Sequence, residues 1–142
     1  MAKSRWLETH YLNVLFIGGS LPTVPSTWYV GLFSTSPVQG NDAAGVELSG
    51  NGYARGSIVR DSNHFAQAAQ TGSDPAYSTN LVIVNMFTAT GTLPTAVAFG
   101  LFDALTGGNL WYWGPANAPS GITIISSNKV SIPIGSLLIK ET

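Results

Sequence analysis

The sequence predicts a mainly β fold: an antiparallel β-sandwich or jelly-roll-like domain carrying a short N-terminal α-helix. It reads as one domain over 1–142, with a helix or arm in 1–19 and a β core in 27–142. Three observations predict this. The first 19 residues place apolar side chains at helical spacing and end in Gly18 and Gly19. From Trp28 onward apolar residues alternate, or cluster in short runs rich in β-branched and aromatic side chains. Seven or eight such runs are separated by clusters of Gly, Asn, Pro and Ser, the pattern of short antiparallel strands joined by turns.

The helix rests on Trp6, Leu7, His10, Tyr11, Val14 and Leu15, which recur with the spacing of one helical stripe. Ser4 is placed to cap its N-terminus, Glu8 falls in the first turn, and Gly18-Gly19 supplies a stop. The stripe suits either packing on the helix's own domain or docking on a neighbouring subunit. Trp28 to Thr35 is the first strand, with Trp28, Val30 and Leu32 on one face and Tyr29 and Phe33 on the other. Pro37 to Gly52 contains no apolar run and reads as a long loop. Tyr53 to Arg60 alternates again, and Ser62 to Thr79 is a polar excursion that could hold a short strand around Phe65.

The second half is more regular. Leu81 to Phe87, Ala96 to Phe102, Asn109 to Trp113, Ile122 to Ile125, Lys129 to Ile134 and Ser136 to Lys140 are strand candidates. Asp103 to Gly108 is a turn-rich connector suited to a hairpin. Pro133 demotes its strand to an edge or a bulge, because proline cannot donate to a ladder.

Composition narrows the function. Only 9% of the 142 residues are charged, against about 25% in an ordinary domain. A net charge of −1 argues against nucleic acid as the main partner, since that binding needs clustered Lys and Arg. No cysteine is present, which excludes disulfides, Cys-ligated zinc and thiol nucleophiles. The apolar run Val14 to Ile17 is far short of the roughly 20 residues of a spanning helix, so no membrane partner is expected. Arg5, Glu8 and His10 interrupt the place where a signal peptide needs its apolar core. With 44% hydrophobic and 11% aromatic residues the chain is not disordered. What remains is a folded domain whose polar surface is Ser, Thr, Asn and Gly, a surface that resists association poorly. Much of it is therefore expected to be covered by other protein.

Catalytic chemistry finds no foothold. His10 has only Glu8 near it in sequence and His64 only Asp61, too few ligands for a zinc site. Asp42, Glu47 and Asp103 lie in loops and turns, where Asp103 is suited to accept from turn amides around Thr106 to Gly108. Nucleophile elbow, phosphate loop and dinucleotide fingerprint are all missing, and Gly50 to Gly52 is too short a glycine cluster to cradle a phosphate. The expectation is a non-enzyme with no catalytic, cofactor-binding or metal residues. Arg55 and Arg60 should each have a partner, with Asp103 and Glu47 as candidates, because an unpaired buried charge is costly. The residues expected at interfaces are Trp6, Tyr11, Glu47, Tyr53, Arg55, Trp111 and Trp113.

Several blocks in fixed order carry a resemblance: Trp28 to Pro37, Gly45 to Arg55, Asn80, Phe99-Gly-Leu-Phe-Asp-Ala104, Thr106 to Leu110, and Trp113-Gly114. Together they resemble a family of small virion proteins of tailed bacteriophages, whose members are often labelled tail-fibre-like or left uncharacterised, over roughly residues 5 to 140. The chain departs from that pattern between Ser62 and Thr79 and at Leu93-Pro94. The resemblance implies a virion structural protein. The leading expectation is a capsid decoration or cement protein that binds the outer head surface and copies of itself, as a dimer or trimer, and braces the major capsid protein. The alternative is a tail or tail-fibre component that binds other tail proteins or a host receptor.

Overall fold

The computed structural model describes residues 1–70, 72, 75–116 and 120–140. Within them lie one helix, α1 (Arg5–Ile17), and twelve strands. The strands are β1 (Ala2–Lys3), β2 (Thr27–Thr35), β3 (Val46–Glu47), β4 (Gly56–Val59), β5 (Tyr77–Thr79) and β6 (Val84–Thr88). They continue with β7 (Leu93–Ala96), β8 (Ala98–Phe102), β9 (Leu110–Pro115), β10 (Ile122–Ile124), β11 (Lys129–Ile132) and β12 (Leu138–Lys140). The fold is mainly β, all its strand pairs are antiparallel, and the one helix is N-terminal.

A six-stranded sheet runs β1-β9-β8-β2-β3, with β4 also paired to β2. Three two-stranded ribbons complete the structure: β10-β7, β11-β6 and β12-β5. The layers expected of a sandwich are thus unequal, one broad sheet against several ribbons. β2 is central because both of its faces are apolar. Trp28 and Val30 join Leu7, Ile58, Val84, Leu101, Trp111 and Leu137 in the largest core cluster. Leu32 leads a second cluster with Leu48, Ala89, Leu93, Ala96 and Ile124, beneath the β7 and β10 ribbon. On the opposite face Phe33 packs with Ala98 and Phe102. Burying each Val, Leu, Ile or Phe side chain among these contributes roughly 1.5–3 kcal/mol.

Two expectations are corrected in detail. Pro37 to Gly52 is not wholly loop. It contains a short 3-10 turn, Asp42–Ala44, and β3, which extends the β2 edge opposite Phe33 and Thr35. The excursion after Ser62 is tied down by bridges from Phe65 to Asn80 and from Ala69 to Tyr77, and by β5; its residues 71, 73 and 74 lie outside those described. β11 stops at Ile132, directly before Pro133, and its ladder to β6 is irregular between Val130 and Ser131. β7 runs through Pro94, whose lack of an N–H the two-stranded ribbon tolerates at its edge. The Asp103–Gly108 connector does join β8 to β9 as a hairpin.

Candidate functional site

Three of the seven expected interface residues meet in one place. Glu47 ends β3, Tyr53 follows the tight turn after it, and Arg55 precedes β4. The turn uses Gly50, Asn51 and Gly52, all with positive φ. Asn51 fastens it to the 90–92 segment by donating from Nδ2 to the Thr92 carbonyl at 2.9 Å and accepting from Thr90 N at 2.9 Å. The reversal brings Glu47 and Arg55 side by side. Arg55 donates from Nε to Glu47 Oε1 and from Nη2 to Oε2, both at 2.7 Å. Its Nη1 donates to the Ala104 carbonyl at 2.7 Å and the Gly107 carbonyl at 2.8 Å. The guanidinium carbon lies 3.4 Å from the centroid of the Phe102 ring. One arginine thereby clasps β3, the β8-β9 hairpin turn and an aromatic face.

Tyr53 completes the clasp. Its hydroxyl donates to Glu47 Oε1 at 2.7 Å and accepts from Leu32 N at 3.0 Å. Burial first, and then the bond to Glu47, push its pKa well above that of an ordinary tyrosine. Every polar atom of this set faces a partner within the chain. Glu47 Oε1 already accepts from two donors, which leaves it poorly placed to take a proton from a substrate. The arrangement is chemically suited to holding loops together.

Trp6 and Trp111 belong to the helix–sheet joint. Trp111 is buried, with its ring centroid 5.2 Å from that of Trp6 and 5.1 Å from that of Trp28, the latter edge-on. Its indole Nε1 donates to Asp103 Oδ2 at 3.2 Å. Asp103 also accepts from Asn109 N at 2.7 Å and Asn109 Nδ2 at 2.9 Å, just past the amides expected for it. Burial alone would raise its pKa, but these bonds outweigh burial and hold it below the usual carboxylate range. Asp103 is therefore not the partner of an arginine, and Arg60 instead donates to the Pro25 carbonyl at 2.8 Å. Trp113 lies between Ala2 of β1 and Gly100 of β8, its Nε1 buried with no hydrogen-bond partner among the described residues.

The helix is seated at one end only. Ser4 Oγ accepts from Leu7 N at 3.1 Å as the N-cap, and Gly18 closes the C-terminus in the left-handed region. A second cap was not legible in sequence: Asp42 accepts from Arg5 N at 3.1 Å and from Trp6 N at 3.4 Å, placing a carboxylate at the positive end of the helix. Leu7 is fully buried. Beyond it the contacts run out. Tyr11, which has Lys3 Nζ 5.3 Å from its ring centroid, is 36% exposed, Leu12 57%, Leu15 68%, Phe16 77% and Ile17 76%, with Leu21 at 47% just past the helix. The expected stripe continued through Val14 and Leu15, but the sheet covers only its first half. The four consecutive apolar residues Val14 to Ile17 were the available signal, since they circle the helix and one sheet face can cover only part of that circle.

His10 sits on the helix with Nδ1 2.8 Å from the Trp6 carbonyl, and His64 pairs with Asp61 at 2.6 Å in an exposed loop. No group of three or more metal-ligating side chains converges among the described residues, and no helix there is long and apolar enough to cross a membrane.

Among the described residues the fold and these side-chain sets are those of a structural domain, its polar clusters tying loop to strand. A model of the family described as podophage GP4 fiber I protein gp80 matches residues 2–140. The chain belongs to that family: it is a bacteriophage fibre protein, a structural part of the virion and not an enzyme. No curated protein matches the sequence.

Proposed function

We propose that this chain forms a compact β-structured fibre element mounted on the phage tail, working through contacts with copies of itself and with neighbouring tail proteins. The observation that carries the reading is the family match along nearly the whole chain. It favours the tail-fibre alternative over the head-decoration role that led the expectations drawn from the resemblance. The exposed apolar end of α1 supports the same reading, because patches of this kind mark protein–protein contact sites. The Glu47–Tyr53–Arg55 clasp keeps the domain rigid while such contacts transmit load.

Deletion of the gene tests the assignment. The expected phenotype is virions whose heads retain DNA on heating as well as wild type, but which adsorb poorly or lack a tail appendage by electron microscopy. Heads that lose DNA while adsorption stays normal would restore the decoration reading. Antibody labelling of intact particles should mark the tail, with a small copy number by gel densitometry.

A further inference from the structure

The exposed end of α1 has a matching feature elsewhere on the same chain. An apolar cavity of about 390 Å³ opens between the main sheet and the ribbons, lined by Leu32, Phe99, Ile122, Ile132 and Leu137, with the exposed Ser136 on its rim. Among its lining residues there is none from α1. A cavity of about 150 Å³ accommodates a benzene ring, so this one has room for the Phe16 ring together with an aliphatic neighbour. The helix end supplies that shape: a projecting turn, apolar on all sides, that its own sheet leaves uncovered.

We propose that the end of α1, centred on Leu12, Phe16 and Ile17, inserts into this cavity of a second copy of the chain. The contact is head-to-tail, with a helix tip on one copy and a groove on the next. Area favours a second copy as the occupant. Taking the roughly 150 Å² of a small aromatic side chain as an upper figure for each, the six exposed residues from Tyr11 to Leu21 present at most about 550 Å² at their fractional exposures. A standard interface takes about 800 Å² from each partner, and about 65% of a homodimer interface is apolar. The tip therefore provides about the apolar area that one side of a stable self-contact requires. A charged partner would find little to pair with here, since Leu12 and the run from Val14 to Ile17 hold no charged residue.

The proposal deepens the self-association part of the function above, yet it is tested on the purified full-length chain. Its failure therefore leaves the position on the tail standing, and the gene deletion leaves it untouched in turn. Sedimentation velocity across a concentration series is expected to show wild-type assembly. Phe16→Glu, at a site 77% exposed, is expected to give folded monomer by circular dichroism, with Ile17→Glu as a second tip variant. Ser136→Trp, filling the groove from its rim, is expected to do the same, with Ser136→Arg as its second variant. The decisive sample mixes Phe16→Glu with Ser136→Trp in equal amounts. One intact tip and one intact groove remain in that mixture, so heterodimers should form and growth should stop at two copies. Wild type that stays monomeric at all concentrations would overturn the proposal and hand the tip to a different virion protein. Assembly that survives Phe16→Glu, or a mixture that stays monomeric, would overturn it as well.

Discussion

Gly31 shows how tightly the interior is drawn. A Cβ there would stand 2.8 Å from Glu47 Oε1, 2.9 Å from Phe102 Cε2 and 3.1 Å from the Tyr53 hydroxyl. Its register partner across the sheet is Gly100, where a Cβ would meet the Phe33 ring at 2.9 Å. The paired glycines leave room for side chains to lie across the strands. Gly31→Ala is expected to cost about 1–3 kcal/mol by forcing the clasp apart, measured by urea denaturation. Arg55→Ala should cost about 3 kcal/mol, the low end for breaking a buried pair, because Glu47 keeps 26% side-chain exposure while Arg55 keeps 5%. Tyr53 adds a pH dependence. Its folded pKa is raised, so its contribution to stability is complete below the ordinary tyrosine pKa of about 10 and is lost as pH rises toward the folded value. Tyr53→Phe should flatten the alkaline limb of a stability–pH curve, and an unchanged limb would locate the effect elsewhere.

At the scale of elements, caps and loop ties carry predictions. Ser4→Ala removes the side-chain acceptor at the start of α1 and should cost about 1 kcal/mol. Asn80 is fully buried between β5 and β6; it donates to the carbonyls of Val82 at 2.8 Å and Pro133 at 2.9 Å and accepts from Leu137 N at 2.9 Å. Asn80→Ala strands those groups and should cost about 3 kcal/mol, read as a fall in thermal midpoint. Elements dictated by local pattern were legible: α1 with its Ser4 cap, β2 with its two apolar faces, the β8-β9 hairpin, and the weakening of the strand that meets Pro133, although that strand ends at Ile132 and not at Ile134. Elements created by distant partners were not. β3 is two residues long and exists because it pairs with β2. The second helix cap comes from Asp42, 36 or more residues away in sequence. Glu47, Tyr53 and Arg55 were named separately, yet their common site depends on the Gly50–Gly52 turn that folds them together. The helix stripe was legible, but how much of it the chain's own sheet covers was not, because spacing carries no information on how far the sheet beneath it extends.

For the whole molecule, low charge makes a simple forecast. Few charged pairs are available for salt to screen, so raising sodium chloride should shift unfolding free energy by less than about 1 kcal/mol. Self-association through apolar surface should instead strengthen in sulfate, which is excluded from protein surface. A reversed order in sedimentation, weakened by chloride and indifferent to sulfate, would point to polar contacts. The self-association proposed above would give the uncharged surface and the bare helix end one explanation, neighbouring copies that cover both.

The joint between helix and sheet has an optical consequence. Trp6, Trp111 and Trp28 form a continuous row of indoles with neighbouring centroids 5.2 Å and 5.1 Å apart. Chromophores this close and tilted couple their strong far-ultraviolet transitions and add a dichroic band of their own. Only Trp6 belongs to the helix, so that band contains a component that vanishes if the helix lifts from the sheet while the sheet stays folded. The protein thus carries its own gauge of whether α1 is seated, readable in solution without any added label.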